Sequence, residues 1–138
     1  MLFPGKSLCN INQPIIVSCE NRKTHRANNN NKNSVFQYKI DGDIISTTSP
    51  ERRCDYLLEN ETKRTVYLIE LKGTDVQHAV EQIEATIKKY ESILGSYTIM
   101  PRIIYRGNTH GVNSSRVVKF KRYYPQSIFK ETIIEECI

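Results

Sequence analysis

The sequence predicts an α/β chain: a mixed β-sheet with a crossover helix packed on it. Three observations carry this expectation. Cys54–Glu59 and Val66–Lys72 are rich in strand formers and are joined through the polar Glu61–Arg64, the pattern of a hairpin. From Asp75 to Leu94 the apolar period then becomes helical. Tyr97–Tyr105 returns to a strand-like run. A long helix between two strands is a crossover, so Val66–Lys72 and Tyr97–Tyr105 should run parallel, beside an antiparallel hairpin.

The elements follow in order. Ile11–Glu20 is ambiguous; Pro14 can open a helix whose apolar stripe is Ile15, Ile16 and Cys19. Arg22–Asn33, with its asparagine run, reads as an exposed polar loop whose Arg22, Lys23 and Arg26 are available to phosphates. Val35–Ile40 alternates like a strand. Asp41-Gly42 signals a tight turn, with Asp43–Thr47 as the returning strand. Ser49-Pro50 marks a loop.

In the helix, Val76, Ala79, Val80, Ile83, Ile87, Tyr90 and Leu94 form one stripe, while Glu81, Glu84, Lys88 and Glu91 face away. Thr74 and Gln77 have capping-box spacing, and Gly95 is a natural stop. Pro101 inside the next strand calls for a bulge or an edge. Gly107–Ser115 reads as a loop and Arg116–Tyr124 as a last strand, before a C-terminal segment without a clear pattern.

A chain of 138 residues fits one domain, 1–138, and is long enough to bury a core without a metal or disulfide staple. With 38% hydrophobic and 25% charged residues, the composition is that of a soluble globular protein. The start of the chain lacks a signal-peptide core and no run is long enough to span a membrane, so the expectation is a cytoplasmic protein with no membrane partner. Cys9, Cys19, Cys54 and Cys137 have no CxxC spacing, and His25, His78 and His110 complete no zinc set; reduced thiols are expected. The net charge of +5 suits a polyanion. Neither a nucleophile elbow nor a Gly-rich phosphate loop occurs.

The chemistry gathers on the second hairpin. A four-residue loop at Glu61–Arg64 sets Leu57 against Leu68, Leu58 against Tyr67 and Tyr56 against Ile69, and in that register Asp55 faces Glu70. Directly opposed residues share a face with Cβ atoms about 5 Å apart. Lys72, two residues on, shares it too. Facing like charges are unfavourable unless compensated, and a divalent cation compensates well. Mg²⁺ takes one or two carboxylates, leaving positions for water and phosphate oxygens. A solvated hairpin face is the competing explanation. Leu57, Val66 and Leu68 on one face, and Tyr56, Leu58, Tyr67, Ile69 and Leu71 on the other, argue instead for a central strand covered on both sides. Charges at the carboxyl end of such a strand sit where open α/β sheets place ligands. The same register would set Arg53 against Lys72, so pairing must end there.

Asp55, fourteen residues, then Glu70-Leu71-Lys72, on a hairpin followed by a helix and a strand, resembles the PD-(D/E)XK nuclease superfamily over about residues 36–105. The motif proline is absent; Cys54 precedes Asp55. The resemblance implies a restriction-endonuclease-like fold. It also implies that Asp55, Glu70 and the backbone carbonyl of Leu71 bind Mg²⁺ (Mn²⁺ substituting), with Lys72 assisting the attacking water. It further suggests Glu20, as the acidic residue many members carry on an N-terminal helix, and Gln82, since some relatives place a glutamine on the following helix. An ordinary solvated flank explains Gln82 equally well. Gln77 fits the capping box better than the site, and turn chemistry accounts for Asp41 and Asp43.

Arg116, Lys119, Lys121 and Arg122, interleaved with Phe120, Tyr123 and Tyr124, read either as a nucleic-acid-binding strip with aromatic platforms or as a lysine-guarded edge strand. The functional expectation is a Mg²⁺-dependent DNA endonuclease, similar to small Holliday-junction resolvases or to nucleases of phage defence, acting as a homodimer or as a subunit of a larger assembly. The alternatives are a non-catalytic nucleic-acid- or protein-binding subunit on the same scaffold, or an RNA-cleaving effector.

Overall fold

The computed structural model describes residues 1–71, 73–107 and 113–138. The elements are β1 (Ile15–Glu20), β2 (Lys23–Asn28), β3 (Val35–Lys39), β4 (Tyr56–Asn60), β5 (Thr65–Leu71), α1 (Val76–Lys89), α2 (Glu91–Leu94), β6 (Thr98–Tyr105), α3 (Ser115–Tyr123), β7 (Ile128–Glu131) and β8 (Ile133–Cys137). They form a five-stranded sheet, β3-β4-β5-β6-β7, and a three-stranded sheet, β1-β2-β8. Both sheets are mixed, so the architecture is α/β.

The central hairpin forms in the expected register, with Leu57 against Leu68 and Tyr56 against Ile69. β6 lies parallel to β5 across the α1 crossover, and β7 parallel to β6 across a second crossover through α3. Both faces of β4 and β5 are covered. On one, Leu57, Val66 and Leu68 pack under Val76, Ala79, Val80 and Ile83 of α1 and Val117 and Phe120 of α3. On the other, Leu58, Tyr67, Ile69 and Leu71 pack on Ile16, Ala27 and Ile134 of the small sheet. Each such aliphatic side chain, fully buried, contributes about 1.5–3 kcal/mol. The layers run helices, large sheet, small sheet.

Several expectations need correction. No helix opens at Pro14, and Arg22–Asn33 is not all loop: β1 and β2 form a hairpin whose turn residues, Asn21 and Arg22, have φ of 49° and 64°. Positive φ at both positions is the geometry of a tight primed turn. The alternation in β2 escaped notice because its inward residues are Lys23, His25 and Ala27, which do not read as apolar. Asp43–Thr47 is not a strand. Gly42 does turn, at φ 109°, but only an isolated bridge joins Asp41 and Ile45, and β4 takes the place beside β3.

The N-cap of α1 is Asp75, whose carboxylate accepts from His78 N–H at 3.0 Å, in place of a Thr74–Gln77 box. Gly95 is right-handed, at φ −58°, and Tyr90 already separates α1 from α2. Arg116–Tyr124 is a helix instead of a strand: Ser114 accepts from Val117 N–H at 3.3 Å, and Val117 and Phe120 turn inward. Pro101 pairs with Leu68 but precedes the β6–β7 ladder, which starts at Arg102. There β6 is an edge, and the missing N–H costs nothing. Among the described residues no helix is long and apolar enough to cross a membrane.

Candidate active site

The ladder between β4 and β5 carries the chain one residue past β4. Asp55 N–H donates to the Ile69 carbonyl at 3.1 Å, and the Asp55 carbonyl accepts from Ile40 N–H at 2.9 Å. Asp55 is thereby held at the end of the ladder, beside Ile69. Side chains alternate along strands, so the Glu70 carboxylate lies on the face of β5 that carries Leu68, under the helices, and the Asp55 and Glu70 carboxylates are both buried. They are 3% and 0% exposed. Oδ2 of Asp55 accepts from Leu71 N–H at 2.7 Å, which orients its carboxylate on the backbone of the residue after Glu70.

Cys54 is fully buried beside them. Burial raises its thiol pKa well above the ordinary value, and the Glu70 and Asp55 carboxylates push it further, against a hydrogen bond with Thr86. The thiol stays protonated. Thr86, from α1, accepts from Cys54 N–H at 2.8 Å and donates to the Gln82 carbonyl at 2.9 Å. The helix thus grips the backbone immediately before Asp55. Cys54 and Thr86 are positioning residues that sequence reasoning missed. Thr86 had a signal, since it stands three residues beyond Ile83 and so falls on the buried stripe of α1.

A strap over residues 46–53 borders the site. The Arg53 guanidinium draws it together, donating to Asp41 Oδ1 at 3.0 Å and to the carbonyls of Ser46, Ser49 and Glu51 at 3.1, 2.7 and 2.6 Å. This accounts for the end of the hairpin ladder: Arg53 turns away into the strap. Ion pairs tie the strap to α1, Arg52 to Glu81 and Glu51 to Lys89.

Asp55, Glu70 and Leu71 are therefore brought together. Lys72 lies outside the described residues, as do His110 and most of the loop expected at 107–115. Gln82 is not on a solvated flank; it is 8% exposed, and none of the described residues bonds its Oε1. Gln77 is exposed. Glu20 is on no helix. It ends β1, in the small sheet on the opposite side from the carboxylates. Asp41 pairs with Arg53, and Asp43 with Lys6 at 3.0 Å. Arg116, Lys119, Lys121 and Arg122 are exposed on α3.

Among the described residues no three His, Cys, Asp or Glu side chains form a metal-binding group. Two buried carboxylates and a backbone carbonyl are nonetheless hard oxygen donors, the set Mg²⁺ prefers, since it fills its remaining positions with water and phosphate. The residues present fit such an ion. Comparison with protein-family models, curated proteins and solved structures found no match to this chain.

Proposed function

We propose that this chain is a Mg²⁺-dependent nuclease of the PD-(D/E)XK kind, hydrolysing phosphodiester bonds in DNA. The observation that carries the reading is the buried pair Asp55 and Glu70, with the Asp55 carboxylate bonded to Leu71 N–H, at the carboxyl end of the central strand β5. On this reading Asp55, Glu70 and the Leu71 carbonyl hold the ion. Bound there, it supplies Lewis acidity and neutralises charge on the phosphate.

The chain's own groups do the positioning. Leu71 N–H orients the Asp55 carboxylate, and Thr86 fixes the backbone before it. Lys72, from the motif resemblance, assists the attacking water and bears on the negative charge that develops on phosphate. α1 and α3 both follow strands at this edge, so their positive ends point where phosphate is to be held. The homodimer or larger assembly, the cytoplasmic setting and a role in junction resolution or phage defence belong to the same proposal.

The test is cleavage of plasmid, linear, single-stranded and branched DNA, and of RNA, with Mg²⁺ or Mn²⁺. Wild type is expected to cut; Glu70→Gln and Lys72→Ala, folded by circular dichroism, are expected not to. Equal cleavage by all three proteins refutes the assignment. Preferential cutting of RNA moves the substrate to the effector class.

The near-complete burial of both carboxylates favours a second reading, a binding subunit that keeps the scaffold with its acids as structural groups. Calorimetric Mn²⁺ titration separates the two. Carboxylate-dependent binding, lost in Glu70→Gln, belongs to the nuclease, and none is expected of the scaffold.

A further inference from the structure

We infer that the groove between α1 and α3 binds an unpaired stretch of nucleic acid, a base seated in the groove and phosphates on α3. This rests on the nuclease reading and deepens it by naming the form of substrate.

The groove is a cavity of about 680 Å³. Ile87 of α1, Phe120 of α3 and Tyr124 at the end of α3 give it an apolar lining, and Lys88, Lys119 and Tyr123 also border it. Tyr123 is 78% exposed, the most exposed large apolar side chain among the described residues, and its ring stands edge-on to Tyr124 at 4.9 Å. An exposed aromatic beside an apolar slot presents a face on which a base can stack.

The charge is arranged for the backbone of the same strand. α3 carries Arg116, Lys119, Lys121 and Arg122 and no acid. Arg116 and Lys119 line the groove and also a second depression on the outer flank, with Ser115, Val118 and Arg122, so they form the ridge between the two. The acids, Glu84 and Glu91, are on the opposite wall, where Glu84 meets Arg116 at 3.3 Å. That polarity sends phosphates to the α3 ridge. It leaves the acidic wall to accept from base amino groups, as carboxylates do from cytosine. A duplex offers its backbone outward and its bases stacked inside, so it can satisfy the ridge but cannot fill the slot.

The groove also has a direction. α1 and α3 start at the sheet edge that carries Glu70, because β5 and β6 are parallel and each helix follows one of them. Arg116 stands beside Glu81 and Glu84 of α1, and Tyr123 shares the groove with Glu91, at the start of α2 beyond the far end of α1. A strand anchored at Tyr123 and followed toward Arg116 runs to the carboxylate end.

Fluorescence anisotropy in EDTA, where no cleavage intervenes, tests this with labelled 15-mers of single-stranded DNA, single-stranded RNA and blunt duplex DNA. Either single strand is expected to bind at least about tenfold tighter than duplex. Tyr123→Ala should weaken it by about five- to a hundredfold, the range for losing one base–aromatic stack. Lys119→Ala/Arg122→Ala should lower the salt slope by about 0.7 for each phosphate lost. Duplex binding as tight as single-strand binding, unchanged affinity in Tyr123→Ala, or no binding of either single strand overturns the inference. Expected anisotropy without cleavage of any substrate retires the nuclease reading and leaves the groove. Cleavage with Tyr123→Ala binding like wild type does the reverse.

Discussion

At the scale of single residues, the site is built by backbone bonds to side chains. Asp55 has one carboxylate oxygen on Leu71 N–H, and Cys54 N–H goes to Thr86. Thr86→Val keeps the volume but strands a buried N–H, which costs about 1–3 kcal/mol. The expected result is a lower urea midpoint of unfolding together with a loss of Mn²⁺ affinity; a change in stability alone would make Thr86 merely structural. Cys54, buried and protonated, should resist Ellman's reagent in the native protein, while Cys19 and Cys137 on the surface react. Rapid labelling of Cys54 in the folded state would show that the strap and α1 open readily. The nearness of Asp55 to Glu70 was legible in the sequence because the register that sets Tyr56 against Ile69 leaves them as the next residues on their two chains. Thr86 was not legible because a hydroxyl on an apolar stripe reads as an exception until its partner, the Cys54 backbone N–H in the segment before β4, is in place.

At the scale of elements, local signals succeeded where one explanation fitted them. α1 has a long stripe and could only be a helix; its cap was a choice between neighbours. Asp75→Ala should cost about 1 kcal/mol in chemical denaturation and Thr74→Ala almost nothing, because the bond is from Asp75. The reverse order would restore the capping box. α3 shows the opposite case. Over nine residues, Val117, Phe120 and Tyr124 fit a helical stripe, while the basic–aromatic alternation fits a strand, and composition does not arbitrate. The packing of Val117 and Phe120 against the core decides it. Lys119→Pro should therefore cost about 3 kcal/mol, measured by thermal or urea unfolding. On an edge strand with an outward N–H it would be tolerated.

At the scale of the molecule, the small sheet is joined to the large one by a charged cluster as well as by apolar packing. Glu136 of β8 accepts from Arg102 of β6 at 2.7 and 2.9 Å and lies 2.8 Å from Nε2 of His25 of β2. The Arg102 guanidinium also stands 5.3 Å from the Tyr67 ring. Burial alone would raise the Glu136 pKa, but the hydrogen bonds from His25 and Arg102 and the Arg102 charge outweigh it and hold it at about 2. A carboxylate depressed on folding stabilises above its unfolded pKa, ordinarily 4.5, and loses that contribution as pH falls through about 2. Its full worth is at most about 3 kcal/mol. Glu136→Gln should lower stability at pH 7 by up to about 3 kcal/mol, less what solvent screens at this partly exposed group, since Arg102 is left buried without its counter-charge. The gap to wild type should close between pH 4.5 and pH 2. A gap that does not change with pH would remove the charge from the account.

The sequence by itself determined the central hairpin, its register, the crossover helix and the nearness of Asp55 to the end of β5. All of these follow from short-range periodicity and the length of one turn. Only the tertiary structure decided that a second sheet exists. Its inner residues, Lys23 and His25 among them, are polar, and His25 is buried where Glu136, distant in the chain, meets it. Tertiary packing likewise made α3 a helix and closed protein around the two carboxylates. A polar residue's burial depends on what lies across from it, and that is set by the whole fold instead of by its neighbours in sequence.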